Sequence, residues 1–354
     1  MSRFFSEKYL DLEPYVPGEQ PRDQQYVKLN TNENPYPPLP EVAKAVAEES
    51  GKQHLYSDPE CTELRKALAK RLDVSTDELL MTNGSDEILN FAFMAFCDKH
   101  TPAYFADITY GFYPVFAAIN RVPYEEIPLK EDLTINITDY YQKAGTIFIA
   151  NPNAPTAIAL RAREIEEILK RNLYNVVVVD EAYVDFGAES CVPLIRKYDN
   201  LLVTQTFSKS RSMAGARLGF AMGSEELIRD LKTIQYSTNP YNVNRMTSAA
   251  GIAAIEARGY YDDCCGKIRQ NRAWTREKLE ALGFTVLPSS TNFLFARSDR
   301  IGGEELYLAM KDRGILIRHF TAERIKDFNR ITIGTAEQME QFIAALGEIM
   351  EGKR

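Results

Sequence analysis

The run Val176-Val-Val-Val179, closed by Asp180, constrains the fold of this chain more than any other stretch. A strand with one wet face alternates apolar and polar residues. Four β-branched apolar residues in succession are buried on both faces, the condition of a parallel sheet covered by helices. Short apolar runs recur at 103–108, 146–150, 201–206 and 218–222, most of them separated by segments of helical spacing such as Arg163–Arg171. Strands alternating with helices predict an α/β domain with a mostly parallel sheet. Ahead of it, residues 40–50, 59–72 and 85–96 carry apolar residues at helical spacing, the last opened by Asn83-Gly84-Ser85-Asp86.

Beyond Ser224 the pattern is helical to Leu282, with one long amphipathic helix predicted from about Arg245. Strands at 284–287, 292–296, 315–318 and 331–333 then mix with helices at 304–313 and 336–350, as in a smaller α+β domain. Residues 1–38, rich in Pro, Asn and Tyr, read as an extended arm. The expected organisation is an arm at 1–38, a large α/β domain at 39–240, and a linking helix with the small domain at 241–354.

A length of 354 residues agrees with two domains and needs no metal or disulfide for stability. The net charge of −8, from 42 basic and 50 acidic residues, argues against a nucleic-acid surface but leaves room for a small anion held by local Arg or Lys. The longest nearly apolar stretch, Ile88 to Cys97, is too short to span a bilayer, and the N-terminus has no apolar run of signal length, so a cytoplasmic protein without a membrane partner is expected. Five cysteines with no C-x-x-C and three scattered histidines exclude a zinc or Cys-His reading, so no metal is expected.

Four segments carry chemistry. In Thr206-Phe207-Ser208-Lys209-Ser210, followed by Arg217, a lysine just after a strand is flanked by hydroxyls with an arginine eight residues on. Such a lysine captures an aldehyde cofactor as a Schiff base, while hydroxyls and arginine hold the cofactor's anionic group. Ser-Lys-Ser by itself is a weak signal and reads as a solvated loop lysine. Asp180 ends the valine strand, where α/β folds place ligands, and Tyr183 follows three residues later. A carboxylate there stabilises a protonated pyridine ring, although a helix N-cap would also use it. The turn Asn83-Gly84-Ser85-Asp86-Glu87 leads into a helix with free backbone N–H groups suited to phosphate, or is an ordinary helix start. Tyr110, after the strand at 103–108, is placed to stack on a flat ring or to be core.

Together these segments resemble the fold-type-I aminotransferases that use pyridoxal 5′-phosphate (PLP), and within them the histidinol-phosphate branch. The resemblance covers nearly the whole chain in order. Its further marks are Pro14-Tyr15-Val-Pro-Gly18, Leu29-Asn-Thr-Asn-Glu-Asn-Pro35, Tyr56-Ser-Asp-Pro59, Pro240-Tyr-Asn-Val-Asn244, Asn292-Phe-Leu294 and Arg330-Ile-Thr-Ile-Gly-Thr335. It implies a large domain with a mostly parallel seven-stranded sheet, a smaller α+β domain and an N-terminal arm. It implies that Lys209 bears the Schiff base and moves the proton, Asp180 pairs with the ring nitrogen, Tyr183 bonds the ring oxygen and Tyr110 stacks on the ring. Gly84, Ser85, Asp86, Glu87, Ser208 and Arg217 would surround the cofactor phosphate, with Tyr56 reaching it from a neighbouring subunit of a homodimer. Arg330 and Arg318 would bind the substrate's anionic end, and Tyr15 and Tyr241 would line the pocket. The implied substrates are a phosphorylated amine, histidinol phosphate, and glutamate or 2-oxoglutarate, in histidine biosynthesis.

The chain departs from the family at Pro152-Asn153-Ala154-Pro155-Thr156-Ala157, where relatives often read Pro-Asn-Asn-Pro-Thr-Gly. Asn153 is the candidate for part of the lost asparagine's contact, or Tyr183 holds the ring oxygen alone. Related activities that stay open are aromatic amino-acid transamination, decarboxylation of threonine phosphate, and a PLP-binding regulator without catalysis. Intact Lys209, Asp180 and Arg330 speak against the last.

Overall fold

A computed structural model of the chain describes residues 2–21 and 23–352, so Met1 and Arg354, the outer limits of the expected arm and small domain, lie outside the described residues. The first half contains β1 (Val27–Lys28), α1 (Pro40–Ser50), α2 (Thr62–Leu72), β2 (Leu79–Thr82), α3 (Ser85–Phe96), β3 (Ala103–Ala106), α4 (Tyr113–Asn120), β4 (Tyr124–Ile127), β5 (Thr146–Ala150) and α5 (Ala162–Lys170). Then come β6 (Val177–Asp180), β7 (Leu201–Thr206), β8 (Gly219–Gly223), α6 (Glu225–Thr238), α7 (Arg245–Glu256) and α8 (Arg258–Ala281). The chain closes with β9 (Phe284–Val286), β10 (Phe293–Ser298), α9 (Gly303–Asp312), β11 (Ile315–Leu316), β12 (Arg318–His319), β13 (Phe328–Thr332) and α10 (Ala336–Glu351).

The valine run forms β6, inside a seven-stranded sheet of order β2-β8-β7-β6-β5-β3-β4. Only β8 runs against its neighbours. Alternate residues of each central strand enter opposite cores, as the pleat demands. Val177 and Val179 pack with Ile147, Ile149, Leu201 and Val203 beneath α2, α5 and α7. Val178 packs with Phe148 and Leu202 on the other face, beneath α3 and α6. Two strands carry no strong sequence signal. β2 is a four-residue run, and β4 is an edge strand whose Tyr124, Glu125 and Glu126 are exposed, so no pattern of double burial marks it.

The long helix expected from Arg245 is two helices, α7 and α8, separated at Ala257. Ala250 and Ala254 of α7 belong to the core under the large sheet, so the chain leaves that core later than position 240. The expected strand at 315–318 is also divided. β11 pairs in parallel with β1 of the arm, while β12 joins the four-stranded sheet β12-β13-β10-β9. The arm is thereby built into the small domain, and its Leu29 lies in that domain's core. Among the described residues no helix is long and apolar enough to cross a membrane, and no cluster of His, Cys, Asp and Glu could hold a metal ion.

Candidate active site

The C-terminal ends of β6 and β7 open into one cavity of about 160 Å³, lined by Asp180, Tyr183, Ser208, Lys209, Ser85, Asp86, Tyr110 and Arg217 among others. Parallel strands deliver their C-terminal residues to the same edge of a sheet, which is why Asp180 and Lys209, 29 positions apart in sequence, meet there. Lys209 Nζ lies 5.7 Å from the centre of the Tyr183 ring and 3.5 Å from the Thr31 carbonyl oxygen, to which it donates.

Asp180 is buried, and both donors it meets are neutral. The Ala182 N–H donates to Oδ1 at 3.1 Å, and the Tyr113 hydroxyl donates to Oδ2 at 3.4 Å. Loss of water pushes the carboxyl up to about 7. A cation against Asp180 would restore the charged form. Tyr113, fully buried at the head of α4, is a contributor that sequence reasoning missed, because a buried aromatic in an apolar helix reads as packing.

The end of the cavity lined by Ser85, Asp86, Ser208 and Arg217 is built by close backbone approach. Gly84, at φ 79°, opens α3, and no side chain caps the first turn. That leaves backbone N–H groups of the turn to bond an anion. A Cβ on Gly84 would fall 2.5 Å from Arg217 Nη2, and one on Gly219 would fall 2.5 Å from both Gly84 C and Ser85 N. Only glycines let β8 and Arg217 press against this turn. Arg217 pairs with Asp86 at 3.1 Å and donates to Ser208 Oγ at 3.4 Å. Asp86 also accepts from the Tyr110 hydroxyl at 2.6 Å, and burial with that neighbouring charge raises the Tyr110 phenol.

A wider cavity of about 470 Å³ adjoins the first, sharing Lys209, Tyr183, Tyr110, Thr31 and Ala154 with it. Tyr15, Arg318 and Arg330 line it. Arg330, on β13, donates to the Asn30 carbonyl at 3.0 Å, and its Nε is buried without a partner. Loss of water lowers its pKa. Arg318, on β12, donates to the carbonyls of Val16 and Pro17 in the arm at 3.3 and 3.4 Å. Tyr15 is stacked on Phe112, ring centres 4.2 Å apart.

Four expected side chains, those of Asn153, Glu87, Tyr56 and Tyr241, line neither cavity within this chain. Asn153 is turned into its own loop, where its amide donates to the Ile108 carbonyl and Thr156 Oγ1 and accepts from Thr109. Ala154, next in this turn, lines both cavities, and Asn153 lines neither. The Glu87 carboxylate bonds Asn242 and the Asn83 N–H, leaving only its backbone for an anion. Tyr56, 80% exposed, stacks on Tyr241 with ring centres 4.5 Å apart, and neither lines either cavity. Asn32 lines the wider cavity and was not singled out from sequence. It sits 151 positions from the tyrosine it touches, and no local pattern joins them.

The model of the aminotransferase class I and II family matches residues 24–346. The chain is 48% identical over 353 residues to a histidinol-phosphate aminotransferase of Brachyspira hyodysenteriae, covering 99% of this chain and 100% of that one. It is 47% identical over 350 residues to histidinol-phosphate aminotransferase 1 of Bradyrhizobium diazoefficiens, with 99% and 100% covered. The solved histidinol-phosphate aminotransferase of Sinorhizobium meliloti, in complex with pyridoxal 5′-phosphate, superposes with a TM-score of 0.91 at 23% identity over 100% of this chain and 99% of that one, which shows a common fold. The family model spans most of the chain and the similarity to relatives is full-length, so the chain belongs to the class I and II aminotransferases.

Proposed function

We propose that the protein is a PLP-dependent histidinol-phosphate aminotransferase, converting histidinol phosphate and 2-oxoglutarate to imidazole-acetol phosphate and glutamate. The observation that carries this reading is the position of Lys209, between the buried Asp180 carboxylate, which has no ion pair among the described residues, and the pair Arg318 and Arg330, with Arg330 Nε unpartnered. The residues fit the cofactor on their own chemistry. Asp180 calls for a cation, as a pyridinium ring nitrogen supplies. The uncapped α3 terminus, Ser208 and Arg217 suit a phosphate. Bound PLP supplies an aldehyde that the lysine amine captures and a ring that withdraws electrons.

The remaining work falls to the chain. Asp180 would hold a ring nitrogen in its protonated form, because its own charge is favoured beside a cation. Tyr110 and Tyr183 line the same cavity, where Tyr110 would pack on the ring and Tyr183 would donate to the ring oxygen. The Lys209 amine would act as the base that takes the proton from the substrate's amine-bearing carbon and as the acid that gives it back. Arg330 and Arg318 hold the substrate phosphate in one half-reaction and a carboxylate in the other, since the guanidinium fork meets either. Tyr15 closes the pocket from the arm. Tyr56 completes the phosphate site from a second subunit, which agrees with its exposure in the single chain.

The purified protein should be yellow, and borohydride should fix the cofactor on Lys209. Initial rates with histidinol phosphate, histidinol and phenylalanine, each with 2-oxoglutarate, test the substrate. Histidinol should be a far poorer donor, because it leaves the arginines unpaired. Phenylalanine outrunning histidinol phosphate would make the enzyme an aromatic aminotransferase. Carbon dioxide release from threonine phosphate would make it a decarboxylase.

A further inference from the structure

We propose that Asn32, carried by the arm, is a positioning residue for Tyr183: its amide donates to the phenol oxygen and so directs the Tyr183 hydroxyl proton into the cavity that holds Lys209. The inference rests on the reading of Tyr183 as a cofactor contact given above.

Asn32 Nδ2 lies 2.9 Å from the Tyr183 hydroxyl. Which end of the amide faces Tyr183 follows from its other bonds. The Asn32 backbone N–H donates to Thr332 Oγ1 at 3.0 Å, so that oxygen is an acceptor there. The single Thr332 hydroxyl proton then goes to Asn32 Oδ1, also at 3.0 Å. With Oδ1 engaged by Thr332, the NH₂ end faces Tyr183 and can only donate. The residue is 1% exposed, and its carbonyl accepts from Asn292 Nδ2 at 2.9 Å. Its backbone is left-handed at φ 57°, a conformation that asparagine tolerates better than most residues. Its backbone N–H, carbonyl and amide oxygen are thus held by Thr332 and Asn292 of the small domain, while the NH₂ reaches Tyr183 beyond β6.

A phenol that accepts from an amide keeps its own proton for another acceptor. No protein acceptor takes the Tyr183 proton among the described residues, and Tyr183 borders both cavities. The opposite wall cannot supply the missing donor, because Ala154 has none and Asn153 is engaged in its loop. Asn32 therefore supports, through Tyr183, the hydrogen bond that the family's second asparagine commonly helps to make.

Substitution of Asn32 by Asp keeps the shape and replaces a donor with an acceptor, which would draw the Tyr183 proton away from the cavity. Asn32→Ala removes the donor alone. The measurements are the pH titration of the bound cofactor's visible band, kcat and KM for histidinol phosphate, and melting of the cofactor-free protein. The titration midpoint should rise in Asn32→Ala and further in Asn32→Asp, with kcat falling roughly tenfold in the latter and KM changing less. In a Tyr183→Phe background the same substitutions should change the midpoint and kcat by no more than about twofold, since the interaction they modify is gone. Wild-type titration and turnover in both Asn32 variants overturns the proposal. So do shifts that persist undiminished without the Tyr183 hydroxyl, which would reduce Asn32 to a charge or folding effect. A wild-type protein that binds no PLP, or a Tyr183→Phe variant that titrates as wild type, would instead overturn the cofactor reading on which it rests.

Discussion

Arg318 and Arg330 stand directly opposite each other in the antiparallel pair β12–β13. Like charges in opposed positions destabilise a sheet, and Arg318 adds to the burial that lowers the Arg330 pKa. A fold that tolerates this arrangement beside a cavity gains when an anion lies between the two guanidinium groups.

Arg330→Lys should therefore impair both half-reactions together. Loss of a bidentate contact corresponds to about 1–3 kcal/mol, or roughly five- to 150-fold in kcat/KM. Lysine keeps the positive charge opposite Arg318, so the melting temperature should change little. A variant impaired for histidinol phosphate but normal for glutamate would show that the two substrates use different anion sites.

Asp180→Asn should alter stability in a pH-dependent way. Burial raises the folded-state pKa to about 7, above the ordinary 3.8. The folded state then binds the proton more tightly than the unfolded one. The stability this adds is present below about pH 4 and is lost as pH rises towards 7. Removing the carboxyl removes that loss, so the cofactor-free variant should gain on the wild type between about pH 5 and pH 8, while cofactor affinity falls. Melting curves at the two pH values measure it, and a constant difference between the proteins would disprove it.

Tyr56→Phe should weaken retention of the cofactor without unfolding the chain, since the side chain is exposed and touches only Tyr241 among rings. Mixing it with Lys209→Ala tests whether it acts across a dimer. Random exchange of subunits would give one complete site in each mixed dimer, about a quarter of all sites. Activity at limiting PLP reads this out, and its absence after exchange would place Tyr56 outside the neighbouring site.

Lys209→Ala should abolish turnover and the borohydride-stable link while changing the melting temperature of the cofactor-free protein little. The lysine amine makes a single long bond to a backbone carbonyl, so the fold loses little with it. Normal turnover in this variant would remove Lys209 from the mechanism.

The alternation of buried strands and helices, and the segments holding Lys209, Asp180, Gly84 and Arg217, were legible in the chain itself. Each is a local pattern: a doubly buried strand has a composition, and a lysine or carboxylate at a strand end has a place in the sheet's geometry. β4 was not legible, because an edge strand answers to solvent rather than to a core. Nor was the break at Ala257, where the apolar pattern continues but the chain passes from one core to another. The resemblance pointed to Asn153, and tertiary structure turned that side chain into its loop while setting Asn32 against Tyr183. It also set Arg318 against Arg330. These pairings join segments whose separation the local pattern cannot register. Sequence periodicity reports only which face of an element is buried, whereas the partner on that face is chosen when β1 pairs with β11 and β12 pairs with β13.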